Sequence, residues 1–396
     1  MKLNELKIGQ CARITSVGGE GALRQHFLDM GVIPGAEVTL VKLAPMGDPM
    51  ELQIHGYELT LRVADAGEIT IDPIDERTRK HERPDRIYKS DHPGLGETGK
   101  YHAKGDGEKL PEGTKLTFAL VGNQNCGKTT LFNAITGSKL KVANWPGVTV
   151  EKYEGTLEYE GYGLKLVDTP GIYSLTSYTI EEKVTRKCVL DDDIEVIVNV
   201  VDASCLERNL YLTLQLLELG KPVILALNMM DIVKERGMEI DMHRLPEMLG
   251  DIPVVPVSAA KRTGLDILMH AVVHHYEEGP KNDILDYGPA VEEKLALLEE
   301  RMQSKYPNHS SVRWHAIKLL ENDEEVKKDH PLEVESIVDR NYEKDITEKK
   351  YEYIEKVIQE VLFYKDRKAA STDRIDKVLT HPVWGVPVFL CIMALV

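Results

Sequence analysis

Paired cysteines are missing from this sequence: Cys11, Cys126, Cys188, Cys205 and Cys391 are scattered, and no two have C-x-x-C spacing. Neither a disulfide framework nor a cysteine zinc site is signalled. Positive charge is also short. Lysine and arginine number 49 against 65 aspartates and glutamates, a formal net charge of -16. Neutralising phosphates needs a basic surface, so this balance argues against non-specific nucleic-acid binding as the main activity. The start, Met1-Lys-Leu-Asn-Glu-Leu-Lys7, lacks an apolar core of signal-peptide length. Apolar periodicity is nearly absent from Glu76 to Thr114, which is rich in charge, Gly and Pro. Such a stretch cannot bury a core and reads as a flexible linker.

What is present is enough for ordinary packed cores: 42% of 396 residues are hydrophobic, which suggests two to four domains. The most specific stretch is Gly122-Asn123-Gln124-Asn125-Cys126-Gly127-Lys128-Thr129, which fits G-x-x-x-x-G-K-[ST]. The apolar run Lys115 to Val121 precedes it as a strand, and Thr130 to Ile135 opens a helical pattern after it. In that context the glycines let the backbone close around oxygens, and N–H groups and the helix start point at negative charge. Lys128 reaches the outer phosphates and Thr129 can ligate Mg²⁺.

The expected fold is multidomain, in the order small β-barrel, α/β P-loop domain with a mostly parallel sheet, helical bundle, and the start of a transmembrane helix. Residues 1–75 carry short strand-like runs punctuated by turns such as Gly18-Gly19 and Pro34-Gly35, with one helical stretch, Ala22 to Met30. Residues 76–114 form the linker. Residues 115–278 alternate strands (Leu164 to Asp168, Ile194 to Asp202, Val223 to Asn228, Pro253 to Ser258) with helices near 207–219 and 264–276. Residues 279–370 read as helical, with Val291, Leu295, Leu298 and Met302 on one face and Tyr351, Ile354, Ile358 and Val361 on another. Their charged faces read as solvated surface. Over 371–396, the run Pro382 to Val396 holds no charged residue and is still apolar at its last position. A spanning helix takes roughly 17–25 such residues, so this run reads as a membrane segment cut short.

Ligands bind at the carboxyl ends of strands in such a sheet. After one strand comes Asp168-Thr169-Pro170-Gly171, a carboxylate able to hold Mg²⁺ through water and a glycine N–H able to meet a terminal phosphate. After the next but one comes Asn228-Met229-Met230-Asp231, whose carboxylate can accept from N1 and N2 of guanine, a donor pair that adenine lacks. After the last comes Ser258-Ala259-Ala260-Lys261, with a backbone N–H for the guanine O6. Between the first helix and the next strand, Asn144-Trp145-Pro146-Gly147-Val148-Thr149-Val150-Glu151 offers Thr149 as the hydroxyl that senses the terminal phosphate through Mg²⁺. The glutamine that orients water in many regulatory GTPases is missing: Ile172 follows Gly171. Slow intrinsic hydrolysis is therefore expected, by in-line attack of water on the γ-phosphate, with Lys128, Thr149 and Gly171 as catalytic groups. A monovalent cation held partly by Asn125 would complete the charge clamp.

Together with the junction Thr372-Asp-Arg-Ile-Asp-Lys-Val-Leu-Thr-His-Pro382-Val-Trp-Gly-Val-Pro387, these motifs resemble FeoB, the bacterial ferrous-iron transport protein B family, over about 115–396. The amino-terminal part, with Leu28-Asp-Met-Gly-Val-Ile-Pro-Gly35 and Gly56-Tyr-Glu-Leu-Thr-Leu-Arg62, is similar to FeoA, an SH3-like barrel. The resemblance implies a potassium-activated GTPase with Asn125 as K⁺ ligand and Thr129 and Thr149 on Mg²⁺. It also implies a helical domain that stabilises the GDP state and relays nucleotide state to a membrane part. The place implied is the cytoplasmic face of the bacterial inner membrane, in a multi-pass protein. Implied partners are guanine nucleotide, that membrane domain, a second copy of the chain and a small Feo accessory protein, with no nucleic acid. Two residues depart from the family pattern: Gln124 replaces the usual proline and Cys126 the usual serine, which bears on loop rigidity and redox behaviour. An N–H-rich loop would favour a Cys126 thiolate, though a small loop residue is the preferred reading. Met229 matches the family. A cytosolic potassium-dependent GTPase acting on RNA or ribosomes is the competing reading, and iron binding by His55, His81, His92 and His102 is not expected.

Overall fold

The computed structural model describes residues 1–19, 21–44, 47–54, 57–74, 114–137, 140–145, 148–274, 284–307 and 309–364. The predicted linker over 76–113, Gly147, His55 and the apolar run over 371–396 lie outside them. Among the described residues, no helix is long and apolar enough to cross a membrane.

The amino-terminal part is a five-stranded antiparallel sheet of β1 (Cys11–Val17), β2 (Glu37–Leu43), β3 (Met50–Ile54), β4 (Tyr57–Leu61) and β5 (Ile69–Ile74), in the order β4-β3-β2-β1-β5. Helix α1 (Gly21–Asp29) follows β1, and a single turn, α2 (Val63–Ala66), precedes β5. Alternation places Ile14, Val38, Leu40, Leu52 and Ile71 inside, where they and Phe27 form the core.

The central part begins with β6 (Lys115–Gly122), followed by α3 (Lys128–Thr136), β7 (Leu140–Asn144), β8 (Glu151–Tyr159), β9 (Tyr162–Asp168) and α4 (Ile180–Leu190). It continues through β10 (Val196–Asp202), α5 (Leu206–Leu217), β11 (Val223–Asn228), α6 (Met230–Glu235), β12 (Met238–Ile240), α7 (Arg244–Met248), β13 (Val254–Pro256) and α8 (Leu265–His274). Seven strands pair in the order β13-β11-β10-β6-β9-β8-β7. The first five are mutually parallel and buried on both faces, and β8 and β7 add an antiparallel edge.

The helical part holds α9 (Pro289–Lys305), α10 (Val312–Leu320), α11 (Glu324–Asp329) and α12 (Glu343–Val361). The stripe Val291, Leu295, Leu298 and Met302 is buried as its spacing predicts. Each such side chain contributes about 1.5–3 kcal/mol by leaving water. Two expectations need correction here. Helix does not run through to residue 370: the β-branched and aromatic end turns into β14 (Leu362–Tyr364), which pairs antiparallel with β12. The charged faces are not all solvated, since Lys318 and Lys350 are at most 1% exposed and pair with Glu321 at 2.6 Å and Glu218 at 3.1 Å.

Those buried charges mark the place where the three parts meet. Asp29, at the end of α1, accepts a hydrogen bond from the Tyr211 hydroxyl of α5, and its carbonyl accepts from Tyr351 of α12 at 2.6 Å. The two tyrosine rings stack at 5.0 Å. The barrel-like sheet therefore docks on the central and helical parts at once. Nearby, Glu343 is buried, with Oε1 lacking a hydrogen-bond partner among the described residues. Burial, reinforced by the Glu321 charge, raises its carboxyl to about 7 against the pull of Arg24. Because the folded value lies above the unfolded one, this group's stabilising contribution is complete below about pH 4 and is lost as pH rises through about 7. Glu343→Gln should thus match the wild type at pH 4 and exceed it by about 3 kcal/mol at pH 8. Urea unfolding at the two pH values is the check; equal differences at both would refute the assignment.

Candidate functional site

The phosphate-type loop spans the gap between β6 and α3, at the carboxyl ends of the parallel strands. Its path needs two left-handed residues, Asn125 (φ 64°) and Gly127 (φ 87°). At Gly127 a β-carbon would stand 2.3 Å from the Asn228 amide nitrogen, and at Gly122 it would stand 2.2 Å from the Val200 carbonyl oxygen. Gly122 is therefore required by close approach, and Gly127 by close approach and by its left-handed backbone. Lys128 is the first residue of α3, and Thr129 follows on the same turn.

Asn228 joins the loop to the last strand end. Its Nδ2 donates to the Cys126 carbonyl at 2.9 Å, and its Oδ1 accepts from the Ala259 N–H at 3.0 Å. Asp231 sits beside this bridge, accepting from the Ser258 hydroxyl and pairing with Lys261, each at 3.3 Å. Although burial acts to raise it, those contacts hold its carboxyl below the usual range, so it is an acceptor only. Met229 adopts a left-handed backbone just before α6.

On the other side, Thr129 Oγ1 donates to Asp168 Oδ2 at 3.3 Å. Burial pushes the Asp168 carboxyl up to about 6, against the opposing charge of Lys128, and Oδ1 is buried with no hydrogen-bond partner among the described residues. A buried carboxylate oxygen without a donor, beside a hydroxyl and a cation, suits a water-coordinated divalent ion. Thr169 ties back through its hydroxyl to the Leu120 carbonyl at 2.8 Å. Gly171 lies against Gln124, where a β-carbon would meet Cα and Cγ at 3.0 Å. Ile172 is 2% exposed and its N–H donates to the Gly122 carbonyl. Its side chain points into the core and offers water nothing.

The loop after β7 is set apart. Trp145 N–H donates to the Val150 carbonyl at 2.9 Å, while Thr149 is exposed and hydrogen-bonds to neither Thr129 nor Asp168 among the described residues. Val148 and Val150 complete the described part of this loop, and Glu151 begins β8. Cys126 does not have thiolate character: it is 1% exposed, and burial raises its thiol to about 11 despite Lys128. The loop N–H groups are outweighed by the loss of water.

Sequence reasoning missed α4, which carries the segment after Gly171 into the interior. Its signal was legible as a capping box: Thr179 Oγ1 accepts from the Glu182 N–H, and Glu182 accepts from the Thr179 N–H, both at 3.1 Å. From this helix Arg186 makes a bidentate pair with Asp323, the N-cap of α11, at 2.8 and 3.2 Å. Arg186 also stacks over Trp314 of α10 at 4.8 Å. On the barrel side, His26 stacks on Tyr178 at 4.8 Å and lies 3.5 Å from Glu182.

A glycine-lined loop between a buried parallel strand and a helix, with Asp168, Asp231 and Ser258 at successive strand ends, defines the central part as a P-loop GTPase-like domain. Comparison with known proteins takes this further. Residues 116–272 match the family described as Ferrous iron transport protein B, residues 1–73 the FeoA domain and residues 287–362 the FeoB cytosolic helical domain. The chain belongs to the ferrous iron transport protein B family, with a FeoA domain fused ahead of its GTPase-like part. It is 34% identical over 432 residues to the Fe(2+) transport protein A/Fe(2+) transporter FeoB fusion protein of Porphyromonas gingivalis, covering 99% of this chain and 51% of that protein. To the Fe(2+) transporter FeoB of Staphylococcus aureus it is 36% identical over 297 residues, 70% of this chain and 44% of that one. The chain thus spans about half the length of the curated relatives it matches. Among solved structures, the cytosolic domain of T. maritima FeoB in apo form superposes with a TM-score of 0.58 at 39% identity, covering 63% of this chain and 100% of that one. Its GMPPNP form gives 0.58 at 40% identity, with 63% and 99% covered.

Proposed function

We propose that this chain is the GTP-binding and GTP-hydrolysing cytosolic region of a ferrous-iron membrane transporter, coupling nucleotide state to iron passage. The observation that carries the reading is the Asn228 bridge, which holds a phosphate-gripping loop and a guanine-reading carboxylate, Asp231, in one rigid unit. Relatives named as Fe(2+) transporters favour transport over a role on RNA or ribosomes.

In this reading the backbone of Gly122, Asn123, Gln124, Asn125, Cys126 and Gly127 wraps the phosphates, and Lys128 neutralises the outer ones. Thr129, Thr149 and, through water, Asp168 hold Mg²⁺, which supplies charge neutralisation at the β- and γ-oxygens. Thr169, Pro170 and Gly171 face the γ-phosphate, with the Gly171 N–H as donor. Asn228, Met229, Met230, Asp231, Ser258, Ala259 and Ala260 surround the base. Val148, Thr149, Val150 and Glu151 close on the nucleotide when it binds, bringing in the exposed Thr149. With Ile172 turned away, water must be placed by backbone groups and by charge. The Asn125 side chain is exposed on the loop and bonds to no described residue, which suits it to hold K⁺.

Hydrolysis measured with GTP and ATP, in KCl and in NaCl, tests this. Turnover of GTP but not ATP is expected, faster in K⁺, with the K⁺ preference lost in Asn125→Ala. Equal turnover of the two nucleotides would overturn the guanine assignment, and wild-type indifference to the cation would overturn the K⁺ assignment. The place proposed is the cytoplasmic face of a bacterial inner membrane; the proposed partners are a membrane domain, a second copy and a small Feo accessory protein.

A further inference from the structure

Three histidines that the nucleotide site does not use converge in the helical part. His309 lies in the loop between α9 and α10, His315 on the first turns of α10, and His330 caps the end of α11. One ligand atom from each lies within 4.8 Å of the other two, and the Nε2 atoms of His309 and His315 are 3.1 Å apart. The rings are mutually packed, with centroids 4.1, 4.7 and 4.8 Å apart. Spacing of six and fifteen residues across a loop and two helices hides this cluster from any linear motif search.

The chemistry of the surroundings favours a metal over a mere ring stack. The Ser311 carbonyl can only accept, so His315 Nδ1, 2.8 Å away, carries the proton, and Nε2 presents its lone pair to the cluster. That second hydrogen bond is the arrangement by which metal-ligating imidazoles are oriented. His315 is 2% exposed, and burial lowers its imidazole to about 3, so it is neutral and ligand-ready. His309 is lowered too, by burial first and then by His330. Two polar atoms at the cluster are buried without hydrogen-bond partners among the described residues, His330 Nδ1 and the hydroxyl of Ser311. Two nitrogens on a tetrahedral zinc at about 2.0–2.1 Å would stand about 3.3–3.4 Å apart, close to the observed 3.1 Å. Of the charges nearby, Asp192 favours a cation, and Arg186, which opposes one, is already engaged by Asp323.

We propose that His309, His315 and His330 form a three-histidine site for a divalent first-row transition metal ion, with a fourth position open to water. Imidazole ligands suit both Zn²⁺ and Fe²⁺. An ion there ties the far end of α11 to α10, while Asp323 at the near end of the same helix grips Arg186 of α4. The group Glu160, His270 and His274 is a poorer candidate, because its carboxylate is half-exposed and already lies 3.6 Å from His274.

The test is titration of the whole chain, stripped with chelator, with Co²⁺ as the spectroscopic probe and then with Zn²⁺ and with Fe²⁺ under anaerobic conditions. One equivalent of Co²⁺ with the intense visible bands of a four-coordinate site is expected, displaced by Zn²⁺ or by Fe²⁺. His309→Ala and His330→Gln should each weaken binding about 10–100-fold or more, while His274→Ala leaves it unchanged. Circular dichroism melts without metal check that the variants fold, which matters most for the buried His315. No Co²⁺ uptake, six-coordinate spectra only, or binding lost in His274→Ala but kept in His309→Ala and His330→Gln would each overturn the site.

Discussion

Lys128→Ala should lower GTP turnover on the order of 10²–10³-fold and weaken nucleotide binding with it. The size follows from where the ammonium sits. Lys128 is 7% exposed at the first turn of α3, with the Asp168 carboxyl close enough to feel its charge. A cation in that low-dielectric setting acts on the developing phosphate charge far more strongly than one in water, and nothing else described in the loop replaces it. Fluorescent GDP and GTP titrations and phosphate release give the two numbers. On the proposed coupling, Fe²⁺ uptake by cells that depend on this protein should fall in step. Turnover unchanged would sink the site; turnover lost with uptake intact would separate the site from transport.

The second large effect concerns stability. Asp323→Ala removes the partner of a nearly buried guanidinium, with side chains 6% and 11% exposed, and also the N-cap of α11. Leaving the Arg186 charge unpaired costs about 3–5 kcal/mol and the lost cap about 1 kcal/mol more. Burial alone would raise the Asp323 carboxyl, but Arg186 and the cap N–H donors hold it below the ordinary range. A depressed folded value means its contribution is present above about pH 4 and lost as pH falls through the folded value. Urea unfolding at pH 7 should show the full deficit, which the double variant Arg186→Met/Asp323→Ala partly recovers. No recovery would mean that the cap, not the charge pair, carries the cost.

Legibility in the sequence followed sequence distance. The loop at 122–129 was legible because strand, glycines, lysine and helix are contiguous, and Asp168, Asn228 and Ser258 because each ends an apolar strand. The edge strands β7 and β8 were not, since Val142 is 57% exposed and alternation there is weak. Arg186 and Asp323 are 137 residues apart, so their pairing has no local signature. Buried Lys318 and Lys350 looked like surface because spacing cannot reveal a distant partner. The roles proposed for Thr149 and Asn125 rest on residue type and place in the sequence, since neither makes a contact among the described residues that would mark it.

Asn228 bears on how such a site can be re-engineered. Its amide is shared: one end fastens the Cys126 carbonyl, the other the Ala259 N–H, and Gly127 leaves room for it. A new base preference grafted onto Asp231 and its neighbours would therefore disturb the triphosphate cradle unless that one side chain is left in place. The reader and the grip are not interchangeable cassettes.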